Sequence, residues 1–265
     1  MDMGQQILQM FLTGLLLVFI IMYAAWLYQL KTKDASIVDI AWAFCFPVLA
    51  GLYFLDSTKG FLPRKILVII MVSVWAFRLI IYLYRRSLGK KEDGRYQSLR
   101  EEWGKDRVSQ EMFKFFQFQG LFALALSLPF AVISLNNETE IHPLEIIGVV
   151  LWLTSMLGES IADNQLKNFR KDPNNKGKIC EAGLWKYSRH PNYFFEWLVW
   201  VSFSVVSLSS PNGWVTLICP VLLLIYMLKV TGIKLKEQQM LKSRGEAYVR
   251  YKQTTSGFIP WFKKA

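Results

Sequence analysis

The chain has 265 residues, 53% of them hydrophobic and 15% aromatic, and a formal net charge of +11. That apolar share exceeds the roughly 45–50% of soluble domains, and it clusters in runs near the roughly 20 residues that cross a bilayer as helix, which excludes a single soluble core. The positive charge gathers in 85–107, 167–189 and 229–264, a pattern of membrane topology and anionic headgroups, so membrane lipids are the expected partners and nucleic acid is not.

Apolar runs at 10–30, 38–55, 66–84, 121–135, 146–161, 197–208 and 214–230 predict an all-α polytopic membrane protein. The expected architecture is one domain, 1–265, of seven transmembrane helices with short interfacial helices on the cytoplasmic side. Basic segments mark that side, which puts the N-terminus outside and the C-terminus in the cytoplasm. Lys31 and Lys33 agree with this scheme, whereas Lys59 and Arg64 fall on the outer side. The first run lacks a preceding basic region and a small-residue cleavage site, so it reads as a retained span. Cys45, Cys180 and Cys219 have no disulfide spacing, and a reduced state is expected.

In chain order, the first span (about 11–30) ends on Tyr23, Trp26, Tyr28 and Gln29, an interfacial aromatic belt or a ligand wall. Ser36 and Asp39 open the second run, where Asp39 is either part of a helix cap or a functional acid. Span three carries Trp75, Arg78 and, one turn on, Tyr82. A buried arginine needs a carboxylate, and Asp39 and Glu196 are the candidates. The polar stretch 87–113 reads as a short interfacial helix with a turn around Gly94. Its Arg95, Tyr96, Arg100 and Trp103 form a solvated face or meet headgroups. Span four, 115–135, holds Gln119 at membrane depth. Span five becomes polar at its end, where Glu159, Asp163 and Lys167 stack four apart with Arg170 adjacent. That stripe lines a cavity or pairs along a helix leaving the bilayer.

The stretch GLWKYSRHPNYFFEWLVW, 183–200, carries the most chemistry. Pro191 suits the first turn of a helix starting near Asn192. Arg189, His190 and Asn192 then surround unpaired N–H groups at a positive dipole end, a natural anion site. Glu196 lies one turn deeper, where a charge is costly and marks function. Beyond 230 a charged helix carries Lys234, Lys236 and Glu237, followed by Tyr248, Arg250 and Tyr251. There is no dinucleotide fingerprint, Walker loop or metal-spaced His/Cys cluster, so no metal is expected. Cations beside a helix start suit phosphate, and buried carboxylates with Asn suit ribose hydroxyls or an amide. Residues 146–265 are therefore the candidate nucleotide-binding half.

GLWKYSRHPNYFFEW, the preceding ADNQLKNFRK and the tail RGEAYVRYKQTTSGFIPW resemble the steroid 5α-reductase superfamily, in particular a bacterial integral-membrane branch of unassigned substrate. SIVDIAWAF, VWAFRLIIYL and EDGRYQSLREEWG fit the same branch, and the likeness covers about 39–261. It implies a bacterial inner-membrane enzyme like the 3-oxo-5α-steroid 4-dehydrogenases. Such an enzyme uses NADPH to reduce a carbon–carbon double bond conjugated to a carbonyl in a lipophilic small molecule. By the resemblance, Asp163, Lys167, Arg170, Asn192 and Glu196 fall on cofactor-binding positions; Glu159, Arg189, His190, Tyr193 and Tyr248 complete that set. Asp39, with Arg78 and Tyr82, is the candidate for polarising the carbonyl, and to donate it must be protonated, which burial favours. The steroid-reducing members use a Gln-Glu pair in span two and a Tyr in span three. Here Asp39 with Trp42, and Trp75, stand near those places, which leaves the substrate open. Two other readings stay open. One is an S-adenosylmethionine-dependent isoprenylcysteine or lipid methyltransferase of the related membrane fold, which shares an Arg-His-Pro-x-Tyr element (189–193) but has a more glutamate-rich tail. The other is a non-enzymatic lipid-binding protein.

Overall fold

The computed structural model describes residues 3–57, 60–87, 91–230 and 232–263, and among these no strand forms; Lys59 lies outside them. Among the described residues, six helices are long and apolar enough to cross a membrane: Gly4–Thr32, Ile37–Asp56, Leu62–Ser87, Gly94–Ser134, Pro143–Lys171 and Gly213–Arg244. They make the chain an integral membrane protein. The remaining predicted span, 197–208, lies, but for its last residue, in a helix of 17 residues, Pro191–Ser207. At 1.5 Å per residue it reaches about 25 Å, short of the roughly 30 Å hydrocarbon core.

The chain forms two compact units, Met1–Ile141 with Ser207–Thr216, and His142–Val206 with Leu217–Ala265. The first unit contains α1 (Met3–Thr32), α2 (Ile37–Asp56), α3 (Leu62–Ser87), α4 (Gly94–Leu126) and α5 (Leu128–Ser134). Its core is aromatic, with Trp75, Tyr53, Phe46, Phe116 and Phe130 fully enclosed. Phe46 meets Trp42 and Trp75 edge-on at 4.7 and 5.3 Å, a geometry the ring quadrupoles favour. The predicted fourth span is broken at Ser127, because Pro129 at the start of α5 brings no N–H to continue the ladder. Ser127 Oγ donates to the Leu124 carbonyl there and meets Tyr53 Oη at 2.7 Å.

One expectation for this unit is corrected. Gly94 is the first residue of α4, capped by Asp93, and the turn lies ten residues on at Gly104, whose φ of 69° interrupts the helix. Glycine reaches that left-handed region without a Cβ penalty. Arg64, one of the two cations that the charge reading puts on the outer side, is buried at the start of α3. Its guanidinium donates to the carbonyls of Glu138, Glu140 (2.9 Å) and Asn136 (3.4 Å). It is a structural clamp on the 136–140 loop, whose Asn136 carbonyl also accepts from Phe61 N at 2.9 Å.

The second unit contains α6 (Pro143–Lys171), α7 (Pro191–Ser207), α8 (Ile218–Ile225), α9 (Ile233–Arg244) and α10 (Glu246–Thr254). A π-helical turn, Tyr226–Val230, follows α8. Cys45, Cys180 and Cys219 are all buried and free.

In the first unit, a Cβ at Gly213 would stand 1.8 Å from the Ser207 carbonyl oxygen and 2.9 Å from Leu208 Cα, all rigid backbone. Gly213→Ala should therefore destabilise the protein by about 2 kcal/mol or more in a thermal melt of detergent-solubilised protein. Gly51→Ala, whose Cβ meets nothing within 4 Å, should melt at or above the parent temperature.

Candidate active site

The second unit builds its polar centre on the α6–α7 seam. The helices run antiparallel and touch at glycines. A Cβ at Gly148 would lie 2.5 Å from Val206, and one at Gly158 would lie 2.4 Å from the Phe195 ring. That register carries Asp163 to Asn192, whose Nδ2 donates to Asp163 Oδ1 at 3.2 Å. One turn deeper on each helix are Glu159 and Glu196, both buried. Three carboxylates and one amide thus share one seam. Lys167 and Arg170, on later turns of α6, are exposed.

The 183–190 loop is fixed from two sides. Gly183, at φ 58°, leaves room for Gln165, whose Oε1 accepts from Leu184 N at 2.9 Å. Trp185 Nε1 donates to the Ala162 carbonyl at 2.9 Å. From the tail, Tyr251 Oη donates to the Trp185 carbonyl, and Arg189 N donates to the Ser256 carbonyl at 2.9 Å. Ser188 bridges Ser256, and its Oγ donates to the Phe258 carbonyl at 2.7 Å.

Glu237 on α9 organises what remains. Its Oε1 accepts from Arg189 Nε at 2.8 Å and lies 2.7 Å from Nη2, and both side chains are only 10% exposed. Its Oε2 is 3.0 Å from Lys252 Nζ, and His190 Nε2 lies 3.4 Å from Oε1. Arg189 Nη1 also donates to the Thr255 and Lys252 carbonyls. Tyr193 stacks with His190 at 5.8 Å, and Lys236 Nζ sits 4.5 Å over the Tyr193 ring. Tyr248 is buried beside Glu237 and Arg189; burial first, then Glu237, pushes its phenol up, and Arg189 opposes them.

Burial pushes His190 below its ordinary 6.5, with Lys236 and Arg189 acting in the same direction and Glu237 against them. A depressed folded value means that the unfolded chain takes up the proton first. This contribution is present above about pH 6.5 and is lost as pH falls through the folded value. The melting temperature should drop between pH 7 and 5, and His190→Gln should flatten part of that slope.

Asp39, Arg78 and Tyr82 all lie in the first unit. Asp39 Oδ2 accepts from Arg95 Nη2 at 2.8 Å and Oδ1 from Tyr96 Oη at 2.6 Å. Asp39, one of the two carboxylates offered for Arg78, is thus held by Arg95 and Tyr96. Both of its oxygens accept here. Ser36 makes no side-chain cap; its Oγ instead accepts from Asp93 N at 3.1 Å. Burial works against ionisation of Asp93, but Arg95 and Arg86 outweigh it and hold the carboxyl down to about 2. Glu92 takes Arg100 at 3.0 Å, and Arg100 also reaches Gln29 at 2.8 Å. The face expected to be solvated is thus an ion network that staples 92–100 to the α1–α2 turn.

Sequence reasoning left Glu237, Lys252, Arg95 and Tyr96 out of the candidate set. Arg189 and Glu237 are 48 positions apart, so no spacing links them. The available signal was the need of a buried arginine for a carboxylate.

The family described as "Protein of unknown function (DUF1295)" matches residues 25–255. An uncharacterized protein of Schizosaccharomyces pombe is 27% identical over 73% of this chain and 63% of its own length. The 3-oxo-5-alpha-steroid 4-dehydrogenase 1 of Homo sapiens is 39% identical over 25% of this chain and 26% of its own. A probable O-methyltransferase of Ustilaginoidea virens is 34% identical over 22% of this chain and 20% of its own. The matches thus span under two thirds of the fission-yeast relative and about a quarter of the human one. No solved structure matches the chain. With the family model covering nearly its whole length and the reductases aligning at modest identity, the chain belongs to the DUF1295 family, a relative of the steroid 5α-reductases.

Proposed function

We propose that this protein is a membrane-embedded, NADPH-dependent reductase of a carbon–carbon double bond conjugated to a carbonyl in a lipophilic substrate. The observation that carries the reading is the α6–α7 seam, where the Asp163–Asn192 pair tops the buried Glu159 and Glu196. The similarity to enzymes named 3-oxo-5-alpha-steroid 4-dehydrogenase supports it.

The residues fit the cofactor. Buried carboxylates at Asp163 and Glu196 would accept from ribose hydroxyls or the carboxamide, and Asn192 offers both a donor and an acceptor. Arg189 and Glu237 hold the loop that presents His190 and Tyr193, and apolar side chains of the unit exclude water from these groups. NADPH, when bound, supplies a hydride to the β-carbon of the substrate. The proposed setting is a bacterial inner membrane with the C-terminus in the cytoplasm and Pro191–Ser207 as a seventh, short span.

NADPH should bind the purified, detergent-solubilised chain, and Asn192→Ala should weaken it about tenfold in a fluorescence titration. If neither NADPH nor NADH binds the parent protein, the reading fails. A second reading, an S-adenosylmethionine-dependent methyltransferase, has the match to the probable O-methyltransferase in its favour. Selective thermal stabilisation by S-adenosylmethionine in place of NADPH would establish it.

A further inference from the structure

Beyond the α6–α7 seam, the second unit contains an open cleft of about 580 Å³. It lies where the last turn of α6, the 171–178 loop and the end of α9 meet. Five cations line it, Arg170, Lys171, Lys176, Lys178 and Arg244, against the single acid Asp172. That acid is already committed: its Oδ1 accepts from Asn174 N at 2.9 Å, capping the Pro173–Asn175 turn. Among the described residues, no salt bridge takes up Lys171, Lys176, Lys178 or Arg244. Arg244 Nε is buried there with no acceptor, and the guanidinium makes its hydrogen bond through Nη1 to the adjacent Ser243 carbonyl at 3.3 Å. A buried N–H left in this state is costly unless a ligand meets it. Phe169 and Met240 give the cleft an apolar wall, and its volume is in the range of organic ligands, well above that of a lone inorganic anion.

We infer that this cleft binds a phosphate ester attached to a larger, partly apolar molecule. Arg244 supplies the directional donor, and Lys176 and Lys178 supply loosely held charge around it. Two sources carry this chemistry, the phosphates of a dinucleotide and the headgroup of an anionic phospholipid. The dinucleotide source rests on the reductase reading, whereas the lipid source rests on the cleft alone.

The test uses the full chain in neutral maltoside detergent and a Lys176→Gln/Lys178→Gln/Arg244→Gln variant. Its melting curve is taken first, since two of the three positions are exposed and should leave the fold intact. Calorimetric titrations with NADP+ and NAD+, and retention of phosphatidylglycerol against phosphatidylcholine from mixed micelles, give the two arms. At least a tenfold weakening of one phosphate-bearing probe in the variant is expected. Loss confined to NADP+ identifies the dinucleotide as the source, and loss confined to phosphatidylglycerol identifies the lipid. In the second case the inference holds even if no dinucleotide binds and the reductase reading has failed. If the parent binds neither probe, or a folded variant binds both as the parent does, the inference is overturned.

Discussion

Glu237→Gln should lower the unfolding free energy by about 3–5 kcal/mol, because it leaves the guanidinium of Arg189 buried without its counter-charge. The pair is 10% exposed on each side and Arg189 bonds through two nitrogens, so solvent screens it little. Lys252 serves as the internal control. It contacts the other oxygen of Glu237 but is 47% exposed, so Lys252→Gln should cost about 0–1 kcal/mol. For a chain of this size, the Glu237 effect corresponds to a melting-temperature loss of about 10 °C. Scanning calorimetry of both variants in the same detergent decides the matter. If Glu237→Gln is no worse than Lys252→Gln, the acid is not the element that joins α9 to the 183–190 loop.

Asp39→Ala should cost about 1–3 kcal/mol, through a different route. It removes one of the two carboxylates of Arg95, leaving Asp93 at 3.2 Å, and takes away the acceptor of the buried Tyr96 hydroxyl. Arg95→Met alone should be harmful for the mirror-image reason. The double variant should recover a coupling of about 1–3 kcal/mol. Additive losses across that cycle would show that the carboxylate and guanidinium act independently. Tyr96→Phe, which keeps the ring and removes only the hydroxyl, should cost about 1–3 kcal/mol, because it takes one donor from the Asp39 carboxylate.

The helical membrane class was legible because long apolar runs have few alternatives. So was the start of α7, because Pro191 both permits a first turn and forbids an interior one. The seam between Asp163 and Asn192 was legible only in part. Four-residue spacing put Glu159 and Asp163 on one face, but which helix they face is a long-range property. The glycines at 148 and 158 decide it by letting α7 approach closely. Charge told less. Arg64 gave no sign that it reaches the carbonyls of a loop more than 70 positions on, and Arg95 passed for a solvated residue because one of its two carboxylate partners, Asp39, is 56 positions away. Local pattern carries local structure, and ion pairs formed across folded elements leave no trace in spacing.

The tail interlocks with the 183–190 loop through Ser256, Phe258 and Trp261, whose N–H donates to the Tyr187 carbonyl at 3.0 Å. A purification handle or reporter fused just past this stretch would tug on the backbone that anchors Arg189. Fusions are therefore better made at the opposite terminus, and a clipped preparation ending near Thr255 would report a weakened site even with every membrane helix intact.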